Sequence, residues 1–190
     1  MELKDLTTLF AASIAAVASM ASLGIGLAEK RRTELREAQR AALEAHVVAL
    51  GESMYAVIAA SQRMASSVED SRFRKHKERA TQSALDLDRV RRQVRYSLWG
   101  INDQLHDLVL LPRWIEFMRG NRAATDELIA RATELRAIVD EVIRVCYLEG
   151  RSPSLPQAAE AKVAGEKLRS SYHSAKASSS KTTESDDDDA

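Results

Sequence analysis

Side chains able to do chemistry are few in this sequence, and they are scattered. There are four histidines, His46, His76, His106 and His173. Only Asp103-x-x-His106 sets a carboxylate and an imidazole on one helix face. Di-metal helical bundles need Glu-x-x-His on two helices and two further carboxylates. Leu43, Phe73 and Ser170 occupy the matching position before the other histidines. Half of such a centre is therefore missing, and neither a metal nor a cofactor is expected.

Cys146 is the single cysteine, so no internal disulfide can form. It follows Val142, Ile143, Arg144 and Val145, with no adjoining histidine or electropositive helix start to stabilise a thiolate. A small buried hydrophobe is the expected role. Asp86 and Asp88 lie beside Arg89, Arg91 and Arg92, as on an ion-paired helix surface rather than in an acid–base couple. There is no glycine-rich phosphate loop and no nucleophile elbow. The expectation is binding rather than catalysis, with no small-molecule substrate.

Charge supplies the sharpest feature. Arg72, Arg74, Lys75, Lys77 and Arg79 crowd into eight residues, and Arg89, Arg91, Arg92 and Arg95 follow. Such a cluster can bind an anionic lipid surface or nucleic acid phosphates. A solvated turn with a polar helix face accounts for it more simply, and nucleic acid ranks low among the expected partners. The whole chain has 28 basic and 28 acidic residues, so net charge predicts no polyanionic partner.

The elements that must carry these groups are helices. The 190 residues include only seven glycines and three prolines, with aromatics at 5%. That composition favours long helices cored by Leu, Val, Ile, Met and Ala. Residues 6–28 carry no charge and as a helix span roughly 35 Å, enough to cross a bilayer. Lys4 is the one basic side chain before the run, whereas Lys30, Arg31, Arg32, Arg36 and Arg40 follow it. The positive-inside rule then places the C-terminal side in the cytoplasm and residues 1–5 outside. A cleaved signal peptide fits less well, because its basic residues precede the apolar run. Ala18, Ser22 and Gly26 form a stripe of small residues on which two membrane helices can associate.

Beyond the apolar run, residues 29–68 contain no proline and only Gly51. Leu43, Val47, Leu50, Met54, Val57, Ser61, Met64 and Val68 alternate spacings of four and three, the seam of a helix packing on a partner. Unbroken, this helix would carry its far end about 60 Å from the membrane. A turn near 66–75 leads to a second helix with Leu87, Val90, Val94, Ile101, Leu105 and Leu108 on its apolar side. Pro112 should end or kink that helix, and the turn is placed at 112–121. A third helix follows from near Asn121 or Thr125, with Leu128, Ala132, Leu135, Val139, Val142 and Cys146 inward, and Gly150 stops it. After a loop at 150–155, Ser154 and Gln157 resemble a capping box for a weaker fourth helix with Leu155, Ala159, Val163 and Leu168 inward. Residues 173–190, rich in Ser, Thr and Asp, are expected as a disordered acidic tail.

The expected fold is all-α: one N-terminal transmembrane helix continuing into a cytoplasmic antiparallel bundle over 29–172, three long helices plus the weaker fourth. The expected function is a single-pass membrane protein acting through protein–protein contacts, as a scaffold, assembly or signalling subunit. Its partner would be a second copy or another helical protein. Two other readings are a pore-forming or lysis-related protein and a nucleic-acid anchor using the basic region.

Overall fold

The computed structural model describes the backbone of residues 3–184 and the side chains of Met20 and residues 22–178. The described chain is all-helical, with no strand. Five helices occur in order: α1 (Leu3–Ala65), α2 (Asp70–Gln93), α3 (Asn102–Phe117), α4 (Arg122–Glu149) and α5 (Leu155–Glu184), with a 3₁₀ turn at Trp99–Ile101 before α3. The chain divides into two compact units, Met1–Ala38 and Gln39–Ala190. The second is a helical bundle.

Its core starts from the seam on α1. Leu43, Leu50, Met54, Val57 and Met64 are essentially inaccessible, as is Ser61, and Val47 packs at the edge. Each such apolar side chain contributes about 1.5–3 kcal/mol on burial. The buried side of α4, from Leu128 to Cys146, is the one its periodicity predicts. The seam on α1 therefore finds its partners within this chain.

The ends of α4 and α5 follow from local chemistry. Asn121 caps α4 by accepting from the Ala124 N–H at 3.0 Å. Gly150 takes φ 61°, and the Arg151 N–H returns to the Cys146 carbonyl at 3.2 Å. The Ser154 N–H donates to Gln157 Oε1 at 2.9 Å before α5 begins, half of the expected capping box.

Several sequence expectations are corrected. The expected second helix is two helices: it breaks over 94–101, and α3 continues past Pro112 to Phe117 instead of ending there. An interior proline costs about 3 kcal/mol or more in a helix. Here Leu108, Leu111, Trp114 and Ile115 are buried on both sides of it, and tertiary packing holds the helix together. The break forms where Gly100 meets the start of α5; a Cβ there would lie 3.2 Å from Ala158 Cβ and 3.6 Å from Pro153 Cβ.

The inward side of α5 is the third correction. Leu155 and Val163 are exposed, while Ala161, Ala164 and Leu168 are buried. Small residues admit closer helix approach than the branched side chains expected there. Helix α5 also runs to Glu184, into the segment from 173 assigned to a tail; residues 185–190 lie outside the described residues.

Because the seam is internal, truncating it attacks the fold. Leu50→Ala should cost about 2–5 kcal/mol, read as a lower urea midpoint of the bundle with no change of oligomeric state. An unchanged midpoint together with dissociation of an oligomer would show the seam working between chains.

Candidate functional site

Two turns at one end of the bundle frame the candidate site. At the C-terminus of α1, the Ser66 and Ser67 hydroxyls donate to the Arg63 carbonyl at 3.1 and 2.7 Å. They satisfy a carbonyl that the helix end leaves unpaired. The chain re-enters helix after Glu69, whose carbonyl accepts from the Phe73 N–H at 2.8 Å. Across from it, the Asn121 N–H donates to the Met118 carbonyl at 2.9 Å, and Gly120 sits at φ 92°. Few residues other than glycine adopt that backbone.

Between the two turns lies a cavity of about 540 Å³, within the range of binding pockets. Ala65, Val68, Phe73 and Ile115 give it an apolar wall, and Arg119, Arg122 and Thr125 a polar one. The Arg119 guanidinium lies 4.2 Å from the Phe73 ring centroid, a cation–π contact that fixes it at the mouth. It also pairs with Asp70, and that hydrogen bond with its charge holds the Asp70 carboxyl below the usual carboxylate range. A second hollow on the other side of Val68 is lined by Arg63, Glu69, Arg72 and His76. Val68 itself, expected as the last position of the α1 seam, falls beyond the end of that helix, is 96% exposed and stands between them.

The sequence-defined basic region is not one surface. Arg72 pairs with Glu69 at 3.0 Å, Arg89 with Asp86 at 3.9 Å and Lys77 with Glu116. Arg91, only 13% exposed, is held by Asp88 at 2.5 Å and by Asn102. Arg92 reaches the same Asp88 at 2.6 Å. Burial works to raise the Asp88 carboxyl, and the hydrogen bonds from Arg91 and Arg92 outweigh it, leaving it below its ordinary range. Arg74, Lys75, Arg79 and Arg95 are exposed. Phe73 faces the core, so it offers no platform on which a base could stack.

A buried polar centre escaped the sequence reading. Asp107 on α3 is 5% exposed and accepts from Arg169 Nε on α5 at 2.8 Å. Its other oxygen, Oδ2, has no donor among the described residues. A Cβ at Gly165 would lie 3.0 Å from that oxygen and 3.2 Å from Gln104 Cγ, so a side chain at 165 would crowd this centre. Burial pushes the Asp107 carboxyl up, against the pull of Arg169 and the charge of His106. His106 thus lies beside this centre. No group of three or more His, Cys, Asp or Glu side chains arranged for a metal occurs among the described residues.

Cys146 is buried at the α4 C-terminus, and burial pushes its thiol up to about 11. Of the small-residue stripe, Ser22 and Gly26 are exposed, and Ala18 lies outside the residues whose side chains are described. A comparison with family models, curated proteins and solved structures finds no match to this chain.

Two outcomes follow from the buried groups. A raised carboxyl means the folded chain keeps a proton that the unfolded chain has released. Stability from Asp107 therefore falls as pH rises from the ordinary value of 3.8 through the raised one. Asp107→Asn should gain on the wild type over that window and hold a constant difference above it, measured as paired thermal midpoints. A difference that does not vary with pH would refute the raised value. Cys146 should react with a thiol reagent at least about 100-fold slower in the native protein than in denaturant, followed by mass spectrometry.

Proposed function

We propose that this chain is a single-pass membrane-anchored helical bundle that acts by protein–protein contact rather than catalysis. Residues 6–28 are the span, and the bundle lies in the cytoplasm.

The observation that carries the anchor is a contrast within α1. Between Ser22 and Ala65 this helix is long and apolar enough to cross a membrane by length and composition. The charges from Glu29 to Arg40 rule out the middle of that range and leave residues 41–62, whose only acidic or basic side chains among Asp, Glu, Lys and Arg are Glu44 and Glu52, and there Leu43, Leu50, Met54 and Val57 fill the bundle core. That stretch already has its apolar surroundings. Met20, Leu23, Ile25 and Leu27 do not: each is at least 62% exposed. They close the uncharged run 6–28, and lipid is the solvent that suits them. The basic flank after the run supports a cytoplasmic bundle.

The contact surface is the cavity between the α1–α2 and α3–α4 turns. Its chemistry suits a partner segment with an apolar side chain between carboxylates: Phe73 and Ile115 would receive the first, and Arg119 and Arg122 the second. Surface ion pairs are worth little, so Asp70 and Asp126 can be exchanged for a partner's acids. Self-association through Leu43 to Met64 would require opening the core, which leaves this end as the better docking surface.

A photo-crosslinking residue at position 68, in the full chain in its native membranes, tests both parts. The chain should resist carbonate extraction, and position 68 should crosslink to a protein. Arg119→Glu with Arg122→Glu should abolish the adduct while leaving the helical circular dichroism intact. Release by carbonate would overturn the anchor. A crosslink unaffected by charge reversal, or one to lipid alone, would overturn the contact surface.

A further inference from the structure

The opposite end of the bundle has a different character. Gln39 and Arg40 open the bundle unit on α1. Gln39 Nε2 donates to the Ser97 carbonyl at 3.1 Å, and Arg40 donates to the Leu148 carbonyl. Gly100 lies against Pro153 and Ala158. These contacts gather the 94–101 turn, the end of α4 and the start of α5 around the point where α1 enters the bundle.

Large side chains left in solvent concentrate here. Tyr96 is 84% exposed, Trp99 64%, Leu148 54% and Leu155 80%. Scattered single apolar residues need no explanation, but four gathered on the 94–101 turn, the end of α4 and the start of α5, two of them amphipathic aromatics, form a patch. The Arg95 guanidinium lies 5.7 Å from the Tyr96 ring centroid. Arg151 is matched by Glu149, which leaves Arg95 and the Arg40 that bonds the Leu148 carbonyl as the patch's cations.

We infer that this end of the bundle rests on the anionic lipid surface, with Tyr96, Trp99 and Leu155 seated at the headgroup level and Arg95 on lipid phosphate. The inference rests on the anchor proposed above. Ala28 and Gln39 are eleven steps apart, which reach no farther than about 40 Å even fully extended. The far end lies roughly another 40 Å away, the length of α4. Only the near end is held within reach of the bilayer whatever the linker's conformation. Lys30, Arg31, Arg32 and Arg36 in that linker outnumber Glu29, Glu34 and Glu37, so the near end approaches lipid with a positive bias. Trp and Tyr favour the interface because one part of each ring system is apolar and another hydrogen-bonds.

The chain has two tryptophans. Trp114 is buried and stacked on Tyr172 with ring centroids 5.0 Å apart, so Trp99→Phe isolates the Trp99 signal by difference. The full chain is reconstituted into phosphatidylcholine vesicles with and without phosphatidylglycerol, carrying lipids brominated near the top of the acyl chain. Bromolipid should quench the Trp99 component by about half or more, as expected for an interfacial ring, and acrylamide should quench it little. Arg95→Glu should weaken the bromolipid effect in the anionic vesicles. A chain that floats with the vesicles while Trp99 is quenched by acrylamide and not by bromolipid overturns this inference and leaves the anchor standing. Shielding from both quenchers that grows with protein-to-lipid ratio assigns the patch to a second copy and also overturns it. A chain that does not float at all overturns the anchor, and this inference with it.

Discussion

The bundle depends on removing one face of α1 from water. Leu43, Leu50, Met54, Val57 and Met64 lie along α1, the first helix of the chain, and fill the core. Together they represent roughly 10 kcal/mol of transfer free energy, comparable with the net stability of a whole domain. The other helices are arranged to cover that face. Where α1 has apolar side chains and no such cover, as at Met20, Leu23, Ile25 and Leu27, they are left exposed, and that contrast along one helix is what the proposed anchor rests on.

Close approach does the rest. Where helices meet through Ala161, Ala164 and Gly165, α5 lies near enough to α3 to enclose Asp107. A carboxylate in that position costs more to desolvate than a surface one, and a single hydrogen bond from Arg169 compensates it only in part. The missing Cβ at residue 165 is part of that fit: a side chain there would press on Asp107 Oδ2 and Gln104 Cγ. At Gly100 the same logic breaks a helix: the backbone turns where α5 must pass.

What the sequence reveals follows from how local each determinant is. The seam on α1 and the inward side of α4 are legible because each is a periodicity within one helix. Asn121, Gly150 and Ser154 are legible because caps involve residues only a few positions apart. Pro112 misleads because its local cost is outweighed by Leu108, Leu111 and Ile115 packing on other helices. The inward side of α5 misleads because hydropathy ranks Val163 above Ala164, while the available space ranks them the other way. Asp107 and Arg169 are 62 residues apart, and neither has a local signal that it will be buried. The basic region reads as one cluster in sequence, yet helix geometry turns Arg91 inward and points Arg74 and Arg79 to different sides of α2. The cavity between the two turns is likewise invisible, because its walls come from segments about 50 residues apart.

The two ends of the bundle show why turns, rather than helices, carry the proposed contacts. Along the helices every inward position is occupied by core, and the outward positions alternate charges that largely pair with one another, as Arg131 does with Glu127 and Glu134. A side chain in a turn is free of that register. Val68 and Tyr96 are large and exposed for this reason, as is Trp99 in its 3₁₀ turn, and none of them is needed to hold a helix to its neighbour. Substituting them should alter what the bundle touches far more than whether it folds. Their chemistry divides by end: an apolar cavity rimmed by arginines between the α1–α2 and α3–α4 turns, and amphipathic aromatics where α1 enters. A partner that brings carboxylates suits the first. An interface that is apolar on one side and wet on the other suits the second.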